Sequence, residues 1–168
     1  MRVGTGWDIH KMVEHRPLML GGVHIPHFLG ESGHSDGDVL IHALIDALLG
    51  AIALGDIGTH FPPSDQTWKD IASTELLKMT MERLDGWEIV NIDTTVIVEQ
   101  PKLSPHVHAI RASLAQLCSI ALEQVSVKAK TAEGLLGEVG EGRAIIAQAT
   151  VLLKSQITDS STTLDEWV

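Results

Sequence analysis

The chain has 168 residues, 44% of them hydrophobic, with 12 basic residues against 22 acidic ones and a formal net charge of −10. That length supplies one domain with a real core and is short for two. The acidic balance disfavours a nucleic-acid partner, because binding a phosphate backbone needs a basic surface. Cys118 is the only cysteine, which excludes an intramolecular disulfide framework and argues against a thiolate-built structural zinc site. The opening residues lack the basic-then-apolar plan of a secretory signal. The longest apolar stretch, 39–54, is interrupted by His42, Asp46 and Gly50 and is too short to cross a bilayer. A cytoplasmic protein without membrane contact is expected.

Residues 1–10 and 18–25 read as strands, the second broken by Gly21-Gly22 as a tight turn or bulge, and 26–37 reads as a loop. Val39, Leu40, Ile41, Leu44, Ile45, Leu48, Leu49 and Ile52 predict a helix that is apolar nearly all round. Its polar exceptions, Asp38, His42 and Asp46, fall at i, i+4 and i+8 on one face and therefore need partners. Ser35, with Asp38 three residues on, resembles a capping-box start, and Gly55 a helix stop. Further along, a loop at 61–65 precedes a helix over 73–84 and a strand over 87–98. Ser104-Pro105 then opens a helix to about 122, followed by a strand over 125–129, a glycine-containing loop over 134–142 and a buried strand over 144–153. Residues 155–168 are polar and expected to be a mobile tail, leaving 1–154 as a single domain. The pattern predicts an α+β (α/β layered) fold, a mixed sheet with helices packed on one face, completed by oligomerisation.

Asp8 and His10 alternate along the first strand and so share a face, and His42 must approach from the helix packed beside it. One carboxylate and two imidazoles make a three-ligand zinc set with a fourth position open. The plainer alternative is that Asp8 only orients His10 while His42 is a satisfied core histidine. His34 and Ser35 stand just before the long helix, where free N–H groups and the helix dipole favour a phosphate, though an ordinary turn would read the same way. Lys128, Lys130, Thr131 and Glu133 gather cation, hydroxyl and carboxylate at one strand end, suited to a diphosphate with its Mg²⁺, or simply to a solvated strand end.

Taken together, Gly6-Trp7-Asp8-Ile9-His10, Gly21-Gly22-Val23-His24-Ile25-Pro26, the block from His34-Ser35-Asp36-Gly37-Asp38 through His42 to Leu54-Gly55-Asp56-Ile57-Gly58, and Phe61-Pro62 closely resemble the 2-C-methyl-D-erythritol 2,4-cyclodiphosphate synthase family over residues 1 to about 154. The resemblance implies a homotrimer with active sites between neighbouring subunits. Its substrate would be a cytidine diphosphate, 4-diphosphocytidyl-2-C-methyl-D-erythritol 2-phosphate, converted to the cyclic diphosphate and CMP in non-mevalonate isoprenoid synthesis. It implies one Zn²⁺ per subunit on Asp8, His10 and His42, and Mg²⁺ or Mn²⁺ on Glu133. It further implies that His34 and Thr131 stabilise charge in the reaction.

By the same resemblance His34 and Ser35 contact the methylerythritol phosphate, and Asp56, Ile57, Gly58, Phe61, Ser64 and Asp65 line the sugar pocket. Pro101, Lys102 and Leu103 surround the cytosine from the neighbouring subunit; Lys130, Thr131, Ala132 and Glu133 lie near the diphosphate; and Arg143 replaces a family arginine. The chain departs from the family at Thr5, Trp7 and Lys130. It also departs over 135–143, where the usual phenylalanine is missing and arginine follows the glycines. A zinc-dependent binding module and a zinc hydrolase using Asp38 or Asp46 as base are the competing classes.

Overall fold

The structure is a computed structural model and describes residues 1–156. Five strands form one mixed sheet: β1 (Arg2–Glu14), β4 (Leu29–Glu31), β5 (Trp87–Ile97), β6 (Val125–Lys130) and β7 (Ala144–Ser155), in the order β4-β1-β7-β5-β6. All neighbours run antiparallel except β5 and β6. The remaining strands, β2 (Leu18–Leu20) and β3 (Val23–Ile25), form a separate hairpin that turns at Gly21 and Gly22, both with positive φ. No helix among the described residues is long and apolar enough to cross a membrane.

Among the described residues four α-helices accompany the sheet: α1 (Val39–Ala51), α2 (Ile57–His60), α3 (Ser73–Met81) and α4 (Val107–Leu117). The long helix α1 packs on β1 and β7, where its Leu40, Ile41, Leu44, Ile45, Leu48 and Leu49 are fully buried. Each such side chain contributes roughly 1.5–3 kcal/mol of burial free energy. Every second residue of β1 faces this helix, and Gly4 and Gly6 let it come close. A Cβ at Gly4 would lie 1.9 Å from the Ala47 carbonyl oxygen, and one at Gly6 at the same distance from that of Ala43. The intervening residues Val3, Trp7 and Ile9 point to the opposite face and are exposed. The helices therefore cover one face of the sheet and leave an apolar strip on the other.

Several boundaries differ from the sequence reading, for physical reasons. The first strand continues past His10 to Glu14 because β4, inside the segment expected to be a loop, pairs with its far end, Met12 opposite Glu31. The cap of α1 is Asp38, not Ser35. Its carboxylate accepts from Ile41 N and also from Gly21 N and Gly22 N, so one buried side chain ties the hairpin to the helix start. Similarly α4 begins at Val107, with His106 as its first flanking residue, because Ser104 and Pro105 belong to the preceding turn. Ser155 closes β7 and is not part of a tail. The rest of the expected tail, 157–168, lies outside the described residues.

Candidate metal centre and adjoining clefts

Asp8 and His10 leave β1 on its helix-facing side, and His42, one turn into α1, meets them there. Asp8 Oδ2 is 3.1 Å from His10 Nε2 and 3.2 Å from His42 Nδ1. The imidazoles meet edge to face, with centroids 5.0 Å apart. One ligand atom from each of the three residues lies within 4.8 Å of the other two. Ligand atoms around a tetrahedral ion with bonds of 2.0–2.1 Å stand about 3.3 Å apart, so the separations of Asp8 from the two histidines suit a divalent cation.

The outer nitrogens decide which lone pairs are free. His10 Nδ1 lies 2.6 Å from the Gly37 carbonyl oxygen, which can only accept, so Nδ1 carries a hydrogen and Nε2 faces Asp8. His42 Nε2 lies 2.9 Å from Ser73 Oγ, and that hydroxyl donates to Asp36 Oδ1 at 2.5 Å. Ser73 therefore accepts from His42 Nε2–H, and Nδ1 is the His42 nitrogen that faces Asp8. Ser35 Oγ, 3.1 Å away, adds a second contact to the same nitrogen.

Electrostatics follow the geometry. Burial raises the Asp8 carboxyl, but hydrogen bonds and charge from His10 and His42 outweigh it and hold Asp8 well below the usual carboxylate range. Burial likewise opposes the charged form of His10, yet its bonds to Asp8 and Glu31 raise its pKa to about 10. Burial pushes the Asp38 carboxyl up to about 6 against the pull of its three N–H donors. For Asp46, whose side chain accepts from Ile57 N at 2.8 Å, burial also shifts the carboxyl upward. Neither Asp38 nor Asp46 lines the cleft beside the three ligands.

That cleft has a volume of about 290 Å³. Asp8, His10, His34, Ser35 and His42 form its polar end, and Ile57, Gly58, Phe61, Trp68 and Leu76 its apolar wall. His34 Nε2 and Trp68 Nε1 are shielded from solvent without a hydrogen-bond partner among the described residues, which leaves both available to a ligand. Asp56 and Asp65 instead cap short helical turns, accepting from Thr59 N and Thr67 N, and with Ser64 they stay exposed outside the lining.

A second cleft of about 360 Å³ lies at the β6 edge, lined by Pro101, Lys102 and Leu103 together with Glu99, Lys130 and Thr131. Ala132 is buried beside it and donates its N–H to Glu99, while exposed Glu133 turns the chain with φ 53°. Arg143 pairs with Glu141 and reaches neither cleft. The clefts share no residue. Asp8 and Ala129 lie in one cross-sheet row through Ala147 and Val96, three strand spacings apart, or about 14 Å. Sequence reasoning missed Glu31, Asp36 and Ser73, the groups behind the histidines. The only trace of them was the requirement that a buried imidazole have a partner.

A compact α+β chain with a two-histidine, one-carboxylate centre beside a cleft is thus defined, and it belongs to the YgbB family, whose model matches residues 1–154. It is 52% identical over 155 residues to the 2-C-methyl-D-erythritol 2,4-cyclodiphosphate synthase of Treponema denticola, covering 91% of this chain and 96% of that one. Among solved structures it is similar to a CDP-bound 2C-methyl-D-erythritol-2,4-cyclodiphosphate synthase, with TM-score 0.84 and 38% identity over 91% of this chain and 100% of that one. A CDP complex of IspF from Plasmodium falciparum gives a TM-score of 0.79 at 36% identity, covering 92% and 96% of the two chains.

Proposed function

We propose that this chain is a cyclodiphosphate synthase. It converts 4-diphosphocytidyl-2-C-methyl-D-erythritol 2-phosphate to 2-C-methyl-D-erythritol 2,4-cyclodiphosphate and CMP, a phosphorus–oxygen lyase step of isoprenoid synthesis. The carrying observation is the convergence of Asp8, His10 and His42 on one cleft in a chain that is more than half identical to named synthases along nine-tenths of its length. Held by Asp8, His10 and His42, Zn²⁺ would offset charge on one phosphate, and Mg²⁺ or Mn²⁺ with Glu133 would do the same for the diphosphate.

The 2-phosphate oxygen attacks the β-phosphorus and CMP departs, so no protein nucleophile is needed. What the chain must do is bring two anionic groups into line. The apolar wall of Ile57, Phe61, Trp68 and Leu76 takes the carbon skeleton. The unpartnered His34 Nε2 and the Ser35 hydroxyl face its phosphate end, and His34 and Thr131 stabilise developing charge. Alignment of this kind is worth roughly 7–11 kcal/mol of barrier at best. Pro101, Lys102 and Leu103, with Lys130 and Thr131, hold the cytidine diphosphate end.

A homotrimer completes the arrangement. With about 14 Å between the two clefts of one chain, each site is assembled from the metal-side cleft of one subunit and the β6-edge cleft of its neighbour. The exposed strip of Val3, Trp7 and Ile9 supplies apolar surface for that assembly. The protein works in the cytoplasm, with residues 1–154 as a single domain.

Phosphorus NMR on the purified protein, given this substrate with Zn²⁺ and Mg²⁺, tests the reading. CMP together with the cyclic diphosphate supports it. CMP with an open-chain phosphate identifies a hydrolase, and zinc binding without turnover a binding module.

A further inference from the structure

Glu31 sits directly behind the metal centre and is fully buried. Its Oε2 lies 2.9 Å from His10 Nδ1, the nitrogen pointing away from Asp8, and accepts Val39 N–H at 2.9 Å. Oε1 has no hydrogen-bond partner among the described residues. A buried carboxyl with one bare oxygen is unfavourable for folding, and an apolar side chain at the end of β4 would avoid that penalty.

The surrounding backbone nevertheless fixes this side chain in place. Pairing of Met12 with Glu31 sets the register of β4 against β1, and Arg16 Nε donates to the Glu31 carbonyl. Gly37, with φ 84°, leaves the necessary room. A Cβ there would approach the Glu31 carbonyl oxygen to 2.8 Å and the Glu31 Cβ to 3.0 Å. The one reactive group that the carboxyl touches is the His10 ring.

We infer that Glu31 is a positioning residue of the metal centre: sharing the Nδ1–H of His10 with the Gly37 carbonyl, it helps lock the ring's orientation and makes the inward-facing Nε2 a stronger donor to the ion. This rests on the metal reading of Asp8, His10 and His42. Carboxylates placed behind ligating histidines in this way typically change metal affinity 10- to 100-fold.

The test strips metal from the full-length protein and measures Zn²⁺ affinity by competition with a chromophoric chelator. Wild type is compared with Glu31→Gln and Glu31→Leu, and the visible absorption of each Co²⁺-loaded form is recorded. Glu31→Gln keeps the shape and both hydrogen bonds but loses the carboxylate, so the fold is retained. Its zinc affinity falls about 10-fold, that of Glu31→Leu falls towards 100-fold, and the Co²⁺ bands shift in both. A wild type that binds no zinc overturns the metal reading and this inference with it. Tight wild-type binding, with both variants within about twofold of it and unshifted Co²⁺ bands, overturns the role of Glu31 alone.

Discussion

Replacing Gly6 by alanine should separate the metal ligands without touching any of them. The added Cβ would lie 1.9 Å from the Ala43 carbonyl oxygen and 2.8 Å from Ala47 N, both backbone atoms of α1. Ordinary contact begins near 3.4 Å, so strand and helix must part by about 1.5 Å. Asp8 and His42, now 3.2 Å apart across the same seam, would move beyond the spacing of about 3.3 Å that a tetrahedral ion needs. Overpacking of this kind costs about 1–3 kcal/mol of stability, and a 1 Å misplacement about 100-fold in function. Gly50→Ala is the matched control on the same helix. That position is exposed, a Cβ there would meet only the Thr5 carbonyl oxygen at 4.0 Å, and alanine should stabilise by about 0.5–1 kcal/mol. Urea unfolding and chelator competition for zinc measure both effects. Gly6→Ala with wild-type stability and wild-type zinc affinity would refute the close-packing argument.

Ser73→Ala removes the hydroxyl between His42 Nε2 and Asp36. Zinc affinity should drop about 10-fold with little change in thermal stability, as read by chelator competition and calorimetry. Glu133→Gln should raise the Mg²⁺ concentration needed for half-maximal turnover while leaving zinc content at one per chain; an unchanged Mg²⁺ titration counts against that role. Zinc uptake should also depend on pH with a definite sign. In the metal-free protein His10 holds its Nε2 proton up to a pKa of about 10, and the ion must displace it. Affinity should therefore fall as pH falls, by roughly 100-fold between pH 8 and pH 6, in chelator competition at fixed ionic strength.

The three ligands could be grouped from sequence because each stood out against its local pattern. Asp8 and His10 share the period of a strand, and His42 interrupts a helix that is otherwise apolar. The groups behind them were hidden. Glu31 lies in a three-residue strand too short to carry a periodic signal, and Ser73 comes from a helix 31 residues beyond His42. Asp38 was legible as polar but not as a cap, because its partners Gly21 and Gly22 lie in a hairpin that only tertiary packing brings to the helix start. Resemblance alone links the residues of the two clefts to one substrate. Their separation across the sheet is a property of strand order, β4-β1-β7-β5-β6, which no local pattern encodes.

The most direct measurement is diffraction at the zinc absorption edge from crystals grown with Zn²⁺ and CDP. An anomalous peak is expected within about 2.0–2.2 Å of Asp8 Oδ2, His10 Nε2 and His42 Nδ1, with cytosine against Pro101, Lys102 and Leu103 of a neighbouring subunit. A zinc peak away from those three atoms, or CDP bound wholly within one chain, would contradict the proposed site.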